Sequence, residues 1–204
     1  MLDTRILKPS EKPTSRPLAV RVLGAVIAWL LFTTCLAFVY RGLLDVTAMG
    51  GSCASGGPYV IEHECSPFVA AMVPVGIFGM VIAIGLHALL AASWGPILFG
   101  LFWPLIFTVL GTGFLVATSR GFDPWSGVFC GVLFLVMGLA PVVLLLWSDA
   151  RLTLGIVSAT GASNPVVRRV DAWRVTAGLA MIVAFGVAGA WLAGVVSDAF
   201  ARMG

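Results

Sequence analysis

From Pro67 to Thr118 the chain runs through 52 residues without one Asp, Glu, Lys or Arg. As a single straight helix that stretch would be about 78 Å long at 1.5 Å per residue, against a bilayer hydrocarbon core of about 30 Å. It must therefore fold back on itself. The break is expected at Ser93-Trp94-Gly95-Pro96, because Gly and Pro end helices and Trp favours the membrane interface. This gives one span at about 68–91 and another at about 96–118. A re-entrant pair of shorter helices is the alternative.

Composition agrees that the solvent is lipid. Of the 204 residues 60% are hydrophobic and 10% are charged, and the mean hydropathy is +1.06. A soluble domain carries roughly 25% charged residues to wet its surface. Further apolar runs at about 18–40, 127–147 and 174–196 bring the count to five. The expected fold is thus an all-α polytopic transmembrane helix bundle occupying residues 18–198. A polar, proline-bearing head (1–17) and a short tail (199–204) flank it, with loops at 42–66 and 148–173. No internal repeat and no block of like charge is present, so nothing points to nucleic acid.

Orientation follows from the cations. With the N-terminus inside, the cytoplasmic set is Arg5, Lys8, Lys12, Arg16, Arg21, Arg151, Arg168, Arg169 and Arg174, against Arg41, Arg120 and Arg202 outside. Nine against three predicts N-in, C-out in a bacterial plasma membrane. The first span is too long for a signal peptide and no A-x-A site follows it, which makes it an uncleaved anchor.

That orientation puts the loop Gly50-Gly51-Ser52-Cys53-Ala54-Ser55-Gly56-Gly57-Pro58-Tyr59-Val60-Ile61-Glu62-His63-Glu64-Cys65 outside the cytoplasm, where disulfides persist. A Cys53–Cys65 bridge would close a small loop, a constraint of roughly 3 kcal/mol. Two other chemistries compete for the same residues. Cys53, His63 and Cys65 could ligate a borderline metal, although the spacing matches no standard zinc pattern. The pair could instead exchange electrons with a quinone, with Cys35 and Cys130 as a second pair, but no Cys-x-x-Cys is present. The glycine-rich run lacks the Lys and helix start of a phosphate loop. The string Gly50 to Tyr59, with a second Cys and then an apolar span, resembles a group of uncharacterised actinobacterial membrane proteins. The resemblance implies a membrane location and no particular activity.

Within the spans, small residues recur at intervals of four. In the second span Gly79, Ala83 and His87 share a face, and in the fifth Gly178, Gly186, Ala190 and Gly194 do so; Gly127 and Gly131 open the fourth. Such faces let helices approach closely, within the chain or with a partner. His87 is expected to hydrogen-bond across a helix contact, with haem ligation or proton transfer as alternatives. Pro74, Pro104 and Pro141 should shape their helices. Arg168, Arg169 and Arg174 suit lipid headgroups and anchor the fifth span. No acid lies deep in a span, where ion-coupled transport usually needs one.

Taken together, these features predict a small, non-enzymatic membrane protein without a cofactor, whose partners are the bilayer and other membrane subunits or a second copy. An accessory subunit of a larger complex is the leading expectation. A thiol–disulfide or quinone-linked oxidoreductase is the alternative, and a transporter or pore for a neutral solute comes third.

Overall fold

The computed structural model describes residues 17–48, 67–91, 98–148 and 172–202. They form five helices and, among the described residues, no strand: α1 (Leu18–Ala48), α2 (Pro67–Ala91), α3 (Leu98–Ser119), α4 (Pro124–Ser148) and α5 (Ala172–Ala201). All five are long and apolar enough to cross a membrane, so the chain is a multi-pass membrane protein. Helix is forced here, since lipid offers no partner to an open backbone N–H or C=O. The hydroxyls obey the same constraint by donating back into their own helices. Thr34 donates to Leu30 O (2.7 Å), Thr47 to Leu43 O (2.9 Å) and Ser197 to Ala193 O (2.7 Å).

Helices α2 and α3 are 25 and 22 residues long, each enough for a complete crossing. Pro74, Pro104 and Pro141 all lie inside their helices. The 31 residues of α1 and 30 of α5 make rods of about 45 Å, longer than the roughly 30 Å of hydrocarbon. Residues 42–48 and 199–201, expected as loop and tail, are therefore further turns of helix. No acid or base within them breaks the backbone bonding, so the helix continues past the apolar run.

Helix α1 occupies the centre. Half of its apolar window is buried within the chain, against 11% for α5. It packs on α2, α3 and α5, whereas α4 packs on α3. Glycines set each contact. Against α2, a Cβ on Gly24 would lie 2.5 Å from Leu90 Cβ, one on Gly42 2.9 Å from Val73, and one on Gly76 2.8 Å from Cys35 O; Gly79 backs on Cys35 Sγ. Position numbers rise on one helix as they fall on the other, so α1 and α2 are antiparallel. The α3–α4 pair is built the same way. A Cβ on Gly111 would lie 2.9 Å from Gly131 O, one on Gly127 2.8 Å from Thr118, and one on Gly138 2.8 Å from Thr108 Oγ1. The phenylalanines Phe107 and Phe134 stack across this seam at 5.4 Å.

Helix α5 runs parallel to α1. Trp29 and Phe185 stack with ring centroids 6.2 Å apart, and a Cβ on Gly189 would lie 2.7 Å from both Thr33 C and Thr33 Cβ. The Thr33 hydroxyl lies 2.8 Å from Phe185 O and 2.9 Å from Trp29 O, shared between its own helix and its neighbour. Of the α5 residues chosen by counting in fours, Gly178 is buried, Gly194 half-buried, and Gly186 and Ala190 exposed. Within this chain the contact runs through Gly189 and Ala193 instead. Four residues advance a helix by about 400°, so each step of four drifts roughly 40° off the face. From Gly178 to Gly194 the drift is most of a half-turn, whereas Gly79 to His87 is two steps and stays on one face.

The turn between α3 and α4 can be read residue by residue. Gly121 has φ +99°, the left-handed conformation that glycine adopts without Cβ strain. Phe122 N donates to Ala117 O (3.1 Å) and Gly121 N to Thr118 O (3.3 Å), which caps the α3 carbonyls. Asp123 then caps α4, its Oδ2 accepting from Ser126 N at 2.8 Å, and Pro124 takes the first helical position, where no N–H is needed.

Two outcomes are expected. Gly189→Leu should lower the thermal stability of the purified chain, by about 1–3 kcal/mol for an overpacked contact, while Gly186→Leu, with open space around it, should leave it unchanged; equal effects would show that α5 sits otherwise. The second concerns pH. The hydrogen bonds from Ser126 hold the Asp123 carboxyl below its ordinary 3.8. A depressed pKa stabilises the fold above 3.8, and that contribution is lost as pH falls through the lower folded value. In melts from pH 6 to pH 3 the native chain should lose this increment and Asp123→Asn, whose amide caps without titrating, should not.

Candidate functional site

Gly113 of α3 lies against Tyr40 and Leu43 of α1, and Arg120 reaches the same cleft as Arg41 and Asp45. Helix α3 therefore runs with α1 and α5, and their C-terminal ends meet at one end of the bundle, beside the start of α2. Each of the three leaves its apolar run at a charge: Arg41 follows Tyr40, Arg120 follows Ser119, and Asp198 follows Ser197. One helical turn past Arg41 stands Asp45. These side chains line an open cleft of about 340 Å³ with Leu44, Met72 and Ser197. That is the small end of the roughly 300–1,000 Å³ typical of ligand pockets.

The cleft holds two cations and two anions. Arg41 is half-buried, and Asp45, Arg120 and Asp198 are exposed. Arg41 crosses from α1 to α5, where its Nη2 would lie 3.0 Å from a Cβ on Gly194; the missing side chain leaves the guanidinium room to lie over α5. Asp45 sits in the field of both Arg41 and Arg120. Arg202 donates from Nε to the backbone Asp198 O at 3.3 Å, and Asp198 lines the cleft. Sequence reasoning used Arg41 and Arg120 only as markers of topology. The available signal was that three apolar runs of like direction each end in a charge.

The residues singled out from the sequence are placed as follows. Gly79, Ala83 and His87 come together on the α1-facing side of α2; Ala83 is 0% and His87 3% exposed. Arg174 falls in the first turn of α5. Cys53, His63, Cys65, Arg168 and Arg169 lie outside the described residues, as does the expected break at 93–96. Cys35 and Cys130 are both free thiols, one buried in the α1–α2 seam and the other on α4. Among the described residues no three His, Cys, Asp or Glu side chains gather as a metal site would require.

The shared end gives a direct test. In a background without native cysteines, Asp45→Cys, Arg120→Cys and Asp198→Cys should all be labelled by a membrane-impermeant maleimide from the same side of sealed vesicles. Labelling of any one from the opposite side would break the common direction of α1, α3 and α5.

Compared with known protein families, with curated proteins and with solved structures, the chain matches none.

Proposed function

We propose that this chain is an accessory subunit of a larger assembly, inserted in the cell membrane with its N-terminus in the cytoplasm, which docks sideways on another membrane protein. The observation that carries the reading is the unequal use of the helices. α1 is consumed by internal contacts, whereas α4 is attached through α3 and α5 along one narrow line. Both peripheral helices turn bulky apolar rows outward, including Val128, Phe129, Val132 and Val136 on α4 and Val183, Val187 and Trp191 on α5. Gly186 and Ala190 lie in the α5 row, where a second backbone can come close.

The middle of the bundle supports the same reading over a passage for solutes. Trp29, Phe32 and Leu98 are each less than 2% exposed and fill it. The oxidoreductase alternative would need Cys53 and Cys65 to cycle. Cys35 sits against Gly79 in the α1–α2 seam while Cys130 belongs to α4, so these two form no shuttle pair. With the N-terminus inside, the Cys53–Cys65 loop meets the oxidising side and serves as a staple.

Purification in mild detergent, followed by mass spectrometry, should recover a membrane protein in fixed stoichiometry with this chain. Gly186→Leu should release that partner without lowering the melting temperature of the isolated chain. A native chain that runs alone at all detergent concentrations sinks the subunit reading. The maleimide described above should reach its three cysteines from outside the cell; labelling from the cytoplasm would reverse the orientation.

A further inference from the structure

The charged cleft has a chemistry of its own. By length, α1 leaves the hydrocarbon near Arg41, since the 23 residues from Leu18 to Tyr40 make about 34 Å of helix against roughly 30 Å of hydrocarbon. Arg120 and Asp198 also stand directly beyond their apolar runs. All three therefore lie at the depth of lipid headgroups, and Asp45 one turn further out. Leu44 and Met72 give the cleft an apolar wall beside its charges.

Two guanidiniums and two carboxylates at one place suit a ligand carrying both signs. A phosphodiester is bound well by arginine, whose planar fork gives two parallel hydrogen bonds. A primary ammonium brings three N–H donors for carboxylates. These two groups a few bonds apart make an aminophospholipid headgroup. Among the described residues no ion pair ties the arginines to the aspartates across the cleft.

We propose that Arg41, Asp45, Arg120 and Asp198 form a binding site for one zwitterionic phospholipid with a primary amine, phosphatidylethanolamine in its simplest form. Arg41 and Arg120 take the phosphate, Asp45 and Asp198 the ammonium, and the acyl chains lie along the apolar surface beside Leu44 and Met72. Phosphatidylcholine shares the phosphate, but its quaternary nitrogen has no N–H to donate. Phosphatidylglycerol shares the phosphate and has no cation, so the two aspartates repel it. Site and ligand are independent of the subunit reading and of which leaflet the cleft faces.

Native mass spectrometry of the full chain, released from nanodiscs containing equal parts of the three lipids with identical acyl chains, tests this. One phosphatidylethanolamine per chain should be retained, about tenfold over either competitor, the scale of one or two charge-assisted hydrogen bonds. Asp45→Asn with Asp198→Asn changes only exposed side chains, so folding should hold. In that double variant the preference over phosphatidylcholine should vanish and phosphatidylglycerol should gain. Arg41→Gln with Arg120→Gln should abolish tight retention of all three. Titration with water-soluble glycerophosphoethanolamine separates a lipid from a free solute. It should bind about 100-fold more weakly or not at all, because burial of the chains is missing. Equal retention of the three lipids, unchanged retention in the aspartate variant, or equally tight binding of the soluble headgroup would each overturn the proposal.

Discussion

Everything in this bundle depends on how closely neighbouring backbones can approach α1. Lipid tails are as apolar as leucine, so helices gain nothing by hiding apolar surface from lipid, and their association rests on contact density. Three of the neighbours meet α1 through glycine: α2 by Gly76 and Gly79, α3 by Gly113 against Tyr40 and Leu43, and α5 by Gly189 against Thr33. The central helix in turn brings the bulk, with Trp29 and Phe32 buried almost completely. Bulk on the hub meets glycine on α3 and α5, and on the α2 side the exchange is mutual, with Gly24 and Gly42 of α1 taking Leu90 and Val73, so a single helix can hold three others.

The Thr33 hydroxyl between α1 and α5 follows the same economy. Thr33 is 8% exposed and faces two carbonyls, Trp29 O and Phe185 O. A hydroxyl in the bilayer must bond somewhere, and one that can bond at home or abroad costs little in either place. The gain from such a bond between helices is accordingly modest, of order 0.6 kcal/mol. Geometry is its larger contribution, because it fixes the height at which α5 stands against α1, and with it the height of Asp198 relative to Arg41.

The five helices were legible in the sequence because the bilayer imposes a length and a polarity that any sufficiently apolar run must obey. The turn at 120–123 is set locally: Gly121 takes the positive φ, Asp123 caps α4 and Pro124 opens it. The helix ends of α1 and α5 were not legible, since an apolar window detects the membrane boundary and α1 carries on through Arg41 and Asp45 with intact backbone bonding. On α2 the two steps of four from Gly79 to His87 barely leave one face. On α5 the same rule accumulates its error over four steps, so the contact with α1 passes through Gly189 while Gly186 and Ala190 stay exposed. The cleft was invisible for a different reason. Arg41, Asp45, Arg120 and Asp198 are separated by up to 157 positions, and only the parallel setting of α1 and α5 brings them together.

That parallel setting also bears on the order of events as the chain is made. Domains and helices emerge from the N-terminus onward, so α1 enters the membrane long before the residues that complete its surroundings. Helix α2 can close on it at once as a hairpin, and α3 with α4 can form a second hairpin around the capped turn. The groove on α1 around Trp29 and Thr33 must wait for the last helix. During that interval Thr33 is not a stranded polar group, because Trp29 O already accepts its proton. The shared hydroxyl thus leaves no unbonded polar group at that position before α5 arrives to complete the contact.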